Sequence, residues 1–270
     1  MPELLAWTEP RPRQTWSLFA AFEGQTVEAL HTREALVEVA REFARIQVQV
    51  ASAPAPELNG LPRMTLDAIP DCFDAVLRDL HQRQQPLWRG WARELAEQFH
   101  LPADVMEHLA EYCASVRRWT DELLHSALPD SIDHVDLHWG NAVVQPSGRI
   151  LIYDWEEAVV SCPLFSLDRL LNDARELDLG EAAAWSGEAR GIGFTPAERA
   201  LRDAYLEALP WGTLEGRRRS FDLALCLAPI KTAHESIAFA NALGWGNEPS
   251  LAAAWAVSRM LARWPALASR

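Results

Sequence analysis

HVDLHWGN, residues 134–141, runs directly into AVVQPSGRILIYDW, residues 142–155, and the reading of these two stretches decides the fold. The first packs two histidines, an aspartate and an asparagine into eight positions. In the second, the β-rich runs AVV and RILIY flank Gln145-Pro146-Ser147-Gly148, a hairpin turn signal. A turn centred on Ser147-Gly148 makes Pro146 face Arg149 and sets Asn141 directly opposite Asp154. A bulge would shift that pairing by one residue and still leave the two as neighbours at the open end of the hairpin.

That placement has a chemical meaning. An amide oxygen and a carboxylate are hard ligands suited to Mg²⁺, which takes few protein ligands and fills its shell with water and substrate phosphates. Asp136 sits five residues before Asn141, on the loop entering the hairpin, within reach of a substrate hydroxyl beside such a metal. A base, two metal ligands and an apolar scaffold form a phosphoryl-transfer constellation.

The remainder of the 270 residues supplies a frame for this hairpin. With 49% hydrophobic and 23% charged residues, the chain is globular, as one large domain or two smaller ones. A net charge of −13 argues against a nucleic-acid partner, which would require clustered Lys and Arg, and suits a cationic or neutral small molecule. The cysteines at 72, 113, 162 and 226 form no CxxC pair, so they are expected as buried thiols in a reducing compartment. No basic segment precedes an apolar core at the N-terminus, and no run of eighteen apolar residues occurs. A cytoplasmic protein, neither secreted nor membrane-spanning, is expected.

Residues 16–22, WSLFAAF, read as a buried strand closed by Glu23-Gly24. Thr32 is placed to cap a helix that carries Leu36, Ala40, Phe43 and Val50 to about Ser52. Residues 53–63 read as a loop, followed by helices from about Pro70, over 87–99, and from Pro102 to about Leu128. Val105, Leu109, Val116 and Leu123 mark a core-facing stripe, and Trp88, Trp91 and Trp119 are core or interface aromatics. After Asp154 the pattern is helical over about 164–176, 196–208, 217–243 and 249–267. The expected architecture is α+β, mainly α, with one central hairpin and no internal repeat.

His134-Val-Asp136-Leu-His138-Trp-Gly140-Asn141, followed by Tyr153-Asp154-Trp155-Glu156, resembles the HxDLHxGN…DW signature of the aminoglycoside phosphotransferase/choline kinase family, relatives of the protein kinases. The resemblance extends over roughly residues 16–240. It implies a protein-kinase-like fold and transfer of the γ-phosphoryl of ATP (or GTP) to a hydroxyl of a small molecule. By position, it implies that Asp136 orients or deprotonates the acceptor hydroxyl, that Asn141 and Asp154 hold Mg²⁺, and that His134 braces the catalytic loop. Residues 18–24 resemble the interlobe hinge, where backbone groups near Ala20 and Phe22 would pair with the adenine ring. Asp168 is the candidate for the aspartate that opens the next helix in the family, although it lies further from Pro163 than in the commonest form.

Set against the resemblance, residues 1–24 are a remnant of the small lobe and the hinge, and 25–270 are the helical large lobe with its catalytic loop and metal-binding hairpin (134–156). Family kinases carry a phosphate-covering loop and a strand lysine before the hinge. Here Gly24 is the first glycine, and the sole lysine, Lys231, lies far downstream. The chain is therefore expected to lack most of the N-terminal lobe, to bind Mg-ATP weakly, and to transfer phosphate slowly or not at all.

Two other readings compete. One is a non-catalytic, kinase-like binding module. The other is a metal hydrolase in which His134, Asp136 and His138 face one side of an extended strand and hold zinc. The other histidines (31, 81, 100, 108, 125 and 234) are isolated. GIGF (191–194) lacks a preceding strand, so it is no phosphate loop, and Arg217 to Arg219 read as a solvated helix start. Glu156 and Glu157 fit a pocket for an amine-bearing acceptor and a solvated strand end equally well.

Overall fold

Thr32 takes the capping position that its residue type favours: its Oγ1 accepts from the Ala35 N–H at 3.3 Å. In the computed structural model, which describes residues 4–7, 17–52, 60–83, 104–126, 128–180, 193–242 and 251–268, the helix so started (α2, Arg33–Ala51) is one of the main supports of the site. Before it come β1 (Leu4–Trp7), β2 (Ser17–Phe19), β3 (Gln25–Thr26) and a single helical turn, α1 (Val27–Leu30). After it come α3 (Ile69–Arg83), α4 (Val105–Ala110), α5 (Cys113–Leu124) and β4 (Ser131–Asp133). The hairpin strands are β5 (Ala142–Val144) and β6 (Ile150–Ile152), followed by β7 (Val159–Ser161). The C-terminal body is α6 (Leu167–Leu179), α7 (Pro196–Ala208), α8 (Leu214–Ala242) and α9 (Leu251–Ala268).

Among the described residues three small antiparallel sheets result: β1 with β2, β3-β5-β6, and β4 with β7. The hairpin differs from the expected register by one residue. Ala142 pairs with Ile152 and Val144 with Ile150. The Gln145 N–H donates to the Arg149 carbonyl, and the Gly148 N–H to the Gln145 carbonyl. Gly148 adopts φ +79°, so Pro146-Ser147-Gly148 forms a three-residue loop ending in a left-handed glycine instead of a two-residue turn. Asn141 consequently faces Tyr153, and Asp154 is the next residue.

Two other expectations are corrected. The buried strand expected over 16–22 is not found: among the described residues β2 covers only 17–19, and Phe19 and Phe22 are exposed. A strand in a two-stranded sheet has a single paired neighbour, and an apolar run of this length does not by itself provide a cover. The helix expected from Pro102 to Leu128 is broken at Glu111-Tyr112 into α4 and α5, with Tyr112 at φ −92°, ψ 0° capping the second. Tyr112, Trp119, Phe73 and Trp264 pack there as an aromatic cluster, with the Trp119 and Trp264 ring centroids 5.8 Å apart. Trp119 is thus the core aromatic its position indicated. Trp88, Trp91, the helix expected over 87–99 and Pro102 lie outside the described residues.

The long helix α8 runs through the centre of the body, and from Leu223 to Lys231 every residue is buried. Pro229 interrupts its hydrogen-bond ladder, because proline has no N–H to give to the Leu225 carbonyl. Helix α9 supplies the missing donor: Arg263 Nη1 bonds the Leu225 carbonyl at 2.7 Å, and beside it Trp264 Nε1 also bonds the Cys226 carbonyl at 2.9 Å. Arg217 donates to the Trp211 and Gly212 carbonyls ahead of this helix, and Arg218 and Arg219 pair with Asp203 and Glu122 on neighbouring helices. All four cysteines are free thiols, three of them buried. Among the described residues no helix is long and apolar enough to cross a membrane.

One buried polar knot ties α2 to the strands that bracket the site. Gln47 is fully buried and donates through Nε2 to the carbonyls of Ile132 (2.8 Å) and Pro163 (2.9 Å). The Tyr205 hydroxyl lies 2.5 Å from Gln47 Oε1, and Ser131 Oγ donates to the Gln47 carbonyl at 2.8 Å. Gln47→Leu keeps the volume but strips the Ile132 carbonyl of its donor and leaves the Tyr205 hydroxyl with the Pro163 carbonyl alone, while the Ser131 bond to the backbone of residue 47 is kept. It should destabilise the protein by about 2–3 kcal/mol, the cost of leaving such groups unpaired. The check is a lower urea midpoint at unchanged slope.

Candidate active site

The loop from Asp133 to Asn141 is held in a non-extended shape by its own side chains and by α6. Strand β4 ends at Asp133, and Val135 then adopts φ +67°. A β-branched residue there is a genuine outlier that costs about 1–3 kcal/mol and persists only when its surroundings fix it. Asp133 Oδ1 provides one such restraint, accepting from the Val135 N–H at 3.0 Å, and Ser166 Oγ donates to the same oxygen at 2.7 Å.

His134 is fully buried, between the rings of Phe43 and Trp155, with centroids 6.4 and 4.5 Å away. Its Nε2 lies 2.9 Å from the Tyr153 carbonyl, which can only accept, so Nε2 carries the proton. Burial pushes the imidazole pKa below its ordinary value, outweighing the bond to Tyr153, so the ring is neutral. The bend at Val135 also interrupts the alternation that would align His134, Asp136 and His138 on one strand face. His138 Nδ1 is taken up by the Gly140 N–H at 3.1 Å. Among the described residues no group of three or more His, Cys, Asp or Glu side chains is placed to hold a metal ion.

Asp136, Asn141 and Asp154 come together at the open end of the hairpin. Asn141 Nδ2 donates to the Asp136 carbonyl at 3.0 Å and approaches its Oδ2 at 3.4 Å, which leaves the Asn141 amide oxygen free. The Tyr153 N–H donates to the Asn141 carbonyl at 3.1 Å, and its hydroxyl bonds the Gly140 carbonyl. Asp154, at φ +64°, then turns the chain out of the ladder. Its side chain is exposed, and among the described residues nothing forms a hydrogen bond or ion pair with its carboxylate. Gly140 is required by close approach: a Cβ there would lie 2.6 Å from His138 Cε1.

Ala20 and Phe22 lie in the irregular stretch between β2 and β3. The Phe22 ring packs on that of Tyr153, centroids 5.3 Å apart, so this stretch borders the residue preceding Asp154. Among the described residues no backbone hydrogen bond engages Ala20 or Phe22. Asp168 does not reach the catalytic loop. It is buried and pairs with Arg259 (2.5 Å) and Arg263 (2.8 Å) on α9, while Ser166, two residues earlier, makes the bond to the loop. Glu156 and Glu157 are exposed.

Helix α6 brings two further residues that no motif indicated. Arg169 pairs with Asp136 Oδ1. Asp173, one turn on, accepts from the Trp139 N–H at 2.7 Å and fixes the loop from beneath. Burial raises its pKa to about 8, against the pull of that N–H. A carboxyl whose folded pKa is raised stabilises the fold fully only below its unfolded pKa of about 3.9, and that contribution is lost as pH rises to about 8. Asp173→Asn keeps the acceptor oxygen without the proton. Its stability relative to wild type should rise between about pH 5 and pH 9, by at most about 1.4 kcal/mol per pH unit. Parallel melts across that range test this, and a constant difference would contradict it.

Comparison with solved structures gives the class. The chain superposes on an ethanolamine kinase from Plasmodium vivax with a TM-score of 0.56 at 11% identity, covering 99% of this chain and 68% of that one. It superposes on an aminoglycoside phosphotransferase from Alicyclobacillus acidocaldarius with a TM-score of 0.55 at 16% identity, covering 99% and 76%. For the GDP complex of wild-type aminoglycoside 2′-phosphotransferase-IIIa the values are 0.53, 12%, 99% and 75%. The fold is therefore protein-kinase-like, mainly helical α+β. The model of the phosphotransferase enzyme family matches residues 1–204, and the chain belongs to that family. No curated protein matches it.

Proposed function

We propose that the chain is a Mg²⁺-dependent phosphotransferase that moves the γ-phosphoryl of ATP or GTP to a hydroxyl of a small molecule. The observation that carries this is the meeting of Asp136, Asn141 and Asp154 at one end of the hairpin. The donor set fits magnesium: Asn141 spends its NH₂ on Asp136 and presents an oxygen, and Asp154 presents an unbonded carboxylate. Asn141 and Asp154 would hold the ion, which when bound neutralises charge on the nucleotide phosphates.

The chain's own residues do the rest. Asp136 receives the acceptor hydroxyl and takes or orients its proton, and Asn141 holds the backbone of Asp136 in place. His134, neutral and bonded to Tyr153, braces the loop against the hairpin. The nucleotide base lies along Ala20–Phe22, where backbone groups are open; that one fold neighbour was solved as a GDP complex supports nucleotide use in general. Residues 1–24 are accordingly assigned to the end of the small lobe and the hinge, and 25–270 to the large lobe. The net charge of −13 and the exposed Glu156 and Glu157 favour a cationic acceptor such as an amino alcohol or aminocyclitol. Free thiols fit a cytoplasmic site of action.

A panel of such alcohols with Mg-ATP and Mg-GTP, read by nucleoside diphosphate release and by ³¹P signals of new phosphomonoesters, tests the proposal. Release that depends on the acceptor is expected. Nucleotide binding without any transfer would favour the second reading, a kinase-like binding module, for which the Arg169–Asp136 pair is the specific support.

A further inference from the structure

The sole lysine of the chain is buried, 4% exposed, in a helix remote in sequence from the loop. Lys231 Nζ lies 3.0 Å from Asp133 Oδ2 and 3.2 Å from Glu235. Lysine is almost never fully buried unless paired, and taking the pair out of water costs several kcal/mol. The other oxygen of Asp133 holds the Val135 N–H and the Ser166 hydroxyl. Both oxygens of one carboxylate are thus fixed, one by α8 and one by the strained residue immediately before Asp136. A small cavity lined by Asp133, Val135, Ser166, Arg169, Lys231 and Thr232 separates the loop from α8.

We infer that Lys231 is a positioning residue: by fixing the rotation of the Asp133 carboxylate it locks Val135 in its left-handed conformation and so aims Asp136. The inference rests on Asp136 being the base of the proposed reaction. Burial works against the charge of Lys231, but Asp133 and Glu235 outweigh it and hold its pKa above the ordinary lysine value. The ion pair is therefore intact throughout the neutral range. A lysine kept only to join α8 to β4 would stabilise the body as a whole. A lysine that sets the loop would protect residues 134–141 beyond the rest.

Amide exchange on the full chain, without substrate, separates these roles. In Lys231→Met the loop segment 134–141 should exchange about tenfold faster or more while α2 and α6 keep their rates. Lys231→Arg should restore most of the protection. A double variant that combines Asp133→Asn with Lys231→Met removes both buried charges, which is often close to neutral for folding, so it keeps the test open if the single variant is unstable. It should retain a fast loop, because the second oxygen's anchor on α8 is gone and only the Val135 N–H and the Ser166 hydroxyl still engage the side chain at position 133. Wild-type loop rates in either Met-containing variant, or faster exchange throughout the core with no excess in the loop, would overturn the inference. Exchange is read without turnover, so failure of the phosphotransferase reading would leave this result standing. With turnover, Lys231→Met should lower kcat about tenfold or more, with KM for Mg-ATP little changed.

Discussion

Asp136→Asn should lower acceptor phosphorylation by about 10²- to 10⁴-fold, the usual worth of a positioned general base. Binding of Mg-nucleotide should stay within about threefold of wild type, because only an interaction of the transferring hydroxyl is removed. Asparagine preserves the size of the side chain. The Asn141 amide bonds the backbone carbonyl of residue 136, so its placement survives the change. What disappears is the carboxylate, and with it the ion pair to Arg169. Single-turnover rates beside a nucleotide titration read the two effects separately. An unchanged transfer rate would remove Asp136 from the reaction, and a collapse of nucleotide affinity would make its role structural.

The largest expected effect on stability lies behind the site. Arg175 on α6 grips Glu198 on α7 through two bonds, Nε to Oε1 at 3.0 Å and Nη2 to Oε2 at 2.9 Å. The two side chains are 15% and 4% exposed. Glu198 also closes a capping box, accepting from the Thr195 N–H at 2.7 Å while its own N–H donates to Thr195 Oγ1 at 3.3 Å. Arg175→Met leaves a buried carboxylate without its counter-charge and should cost about 3–5 kcal/mol, a large share of a typical domain stability. Adding Glu198→Gln, which removes the stranded charge and keeps an acceptor for Thr195, should recover part of that loss. A single-variant loss below about 1 kcal/mol in urea titrations would place the pair among weak surface bridges. Because α6 also carries Arg169 and Asp173, the same pair steadies the helix beneath the loop.

Local signals in the sequence were read correctly where a short stretch determines its own geometry. The helix over 196–208 has Thr195 to cap it, Pro196 in its first turn and Glu198 to complete the box, and its expected bounds coincide with those observed. Thr32 behaved likewise. The hairpin was legible but its register was not, because Ser-Gly serves a two-residue turn and a three-residue loop with a left-handed glycine equally well. Strands β4 and β7 were missed altogether, since three-residue strands are too short to show alternation. The break between α4 and α5 has no glycine or proline to announce it; it accompanies the packing of Tyr112 on Trp119 and Trp264.

The same division holds at the site. Asp136, Asn141 and Asp154 lie within one short segment whose spacing expresses their geometry. Ser166, Lys231, Arg169 and Asp173 reach the loop through tertiary packing, and their sequence separation hides them. One signal was available for Lys231: a charge directly following the apolar run LALCLAPI (223–230) in an otherwise lysine-free chain indicates a buried, paired cation. For Asp168, the longer spacing from Pro163 was the warning. Asp168 does open the helix, in the first turn of α6, but two residues past Ser166 it turns toward Arg259 and Arg263 and leaves Ser166 in contact with Asp133.

The central claim is that this hairpin end binds a nucleotide through magnesium, and calorimetric titration of the full chain with ADP, in excess Mg²⁺ and again in EDTA, tests it most directly, with Asp154→Ala run in parallel. In the proposed reading the ion held by Asn141 and Asp154 makes the contact to the nucleotide phosphates. The account therefore requires a binding heat in Mg²⁺ that vanishes in EDTA and in Asp154→Ala. Equal affinity with and without magnesium, or an Asp154→Ala variant that binds as wild type does, would contradict it.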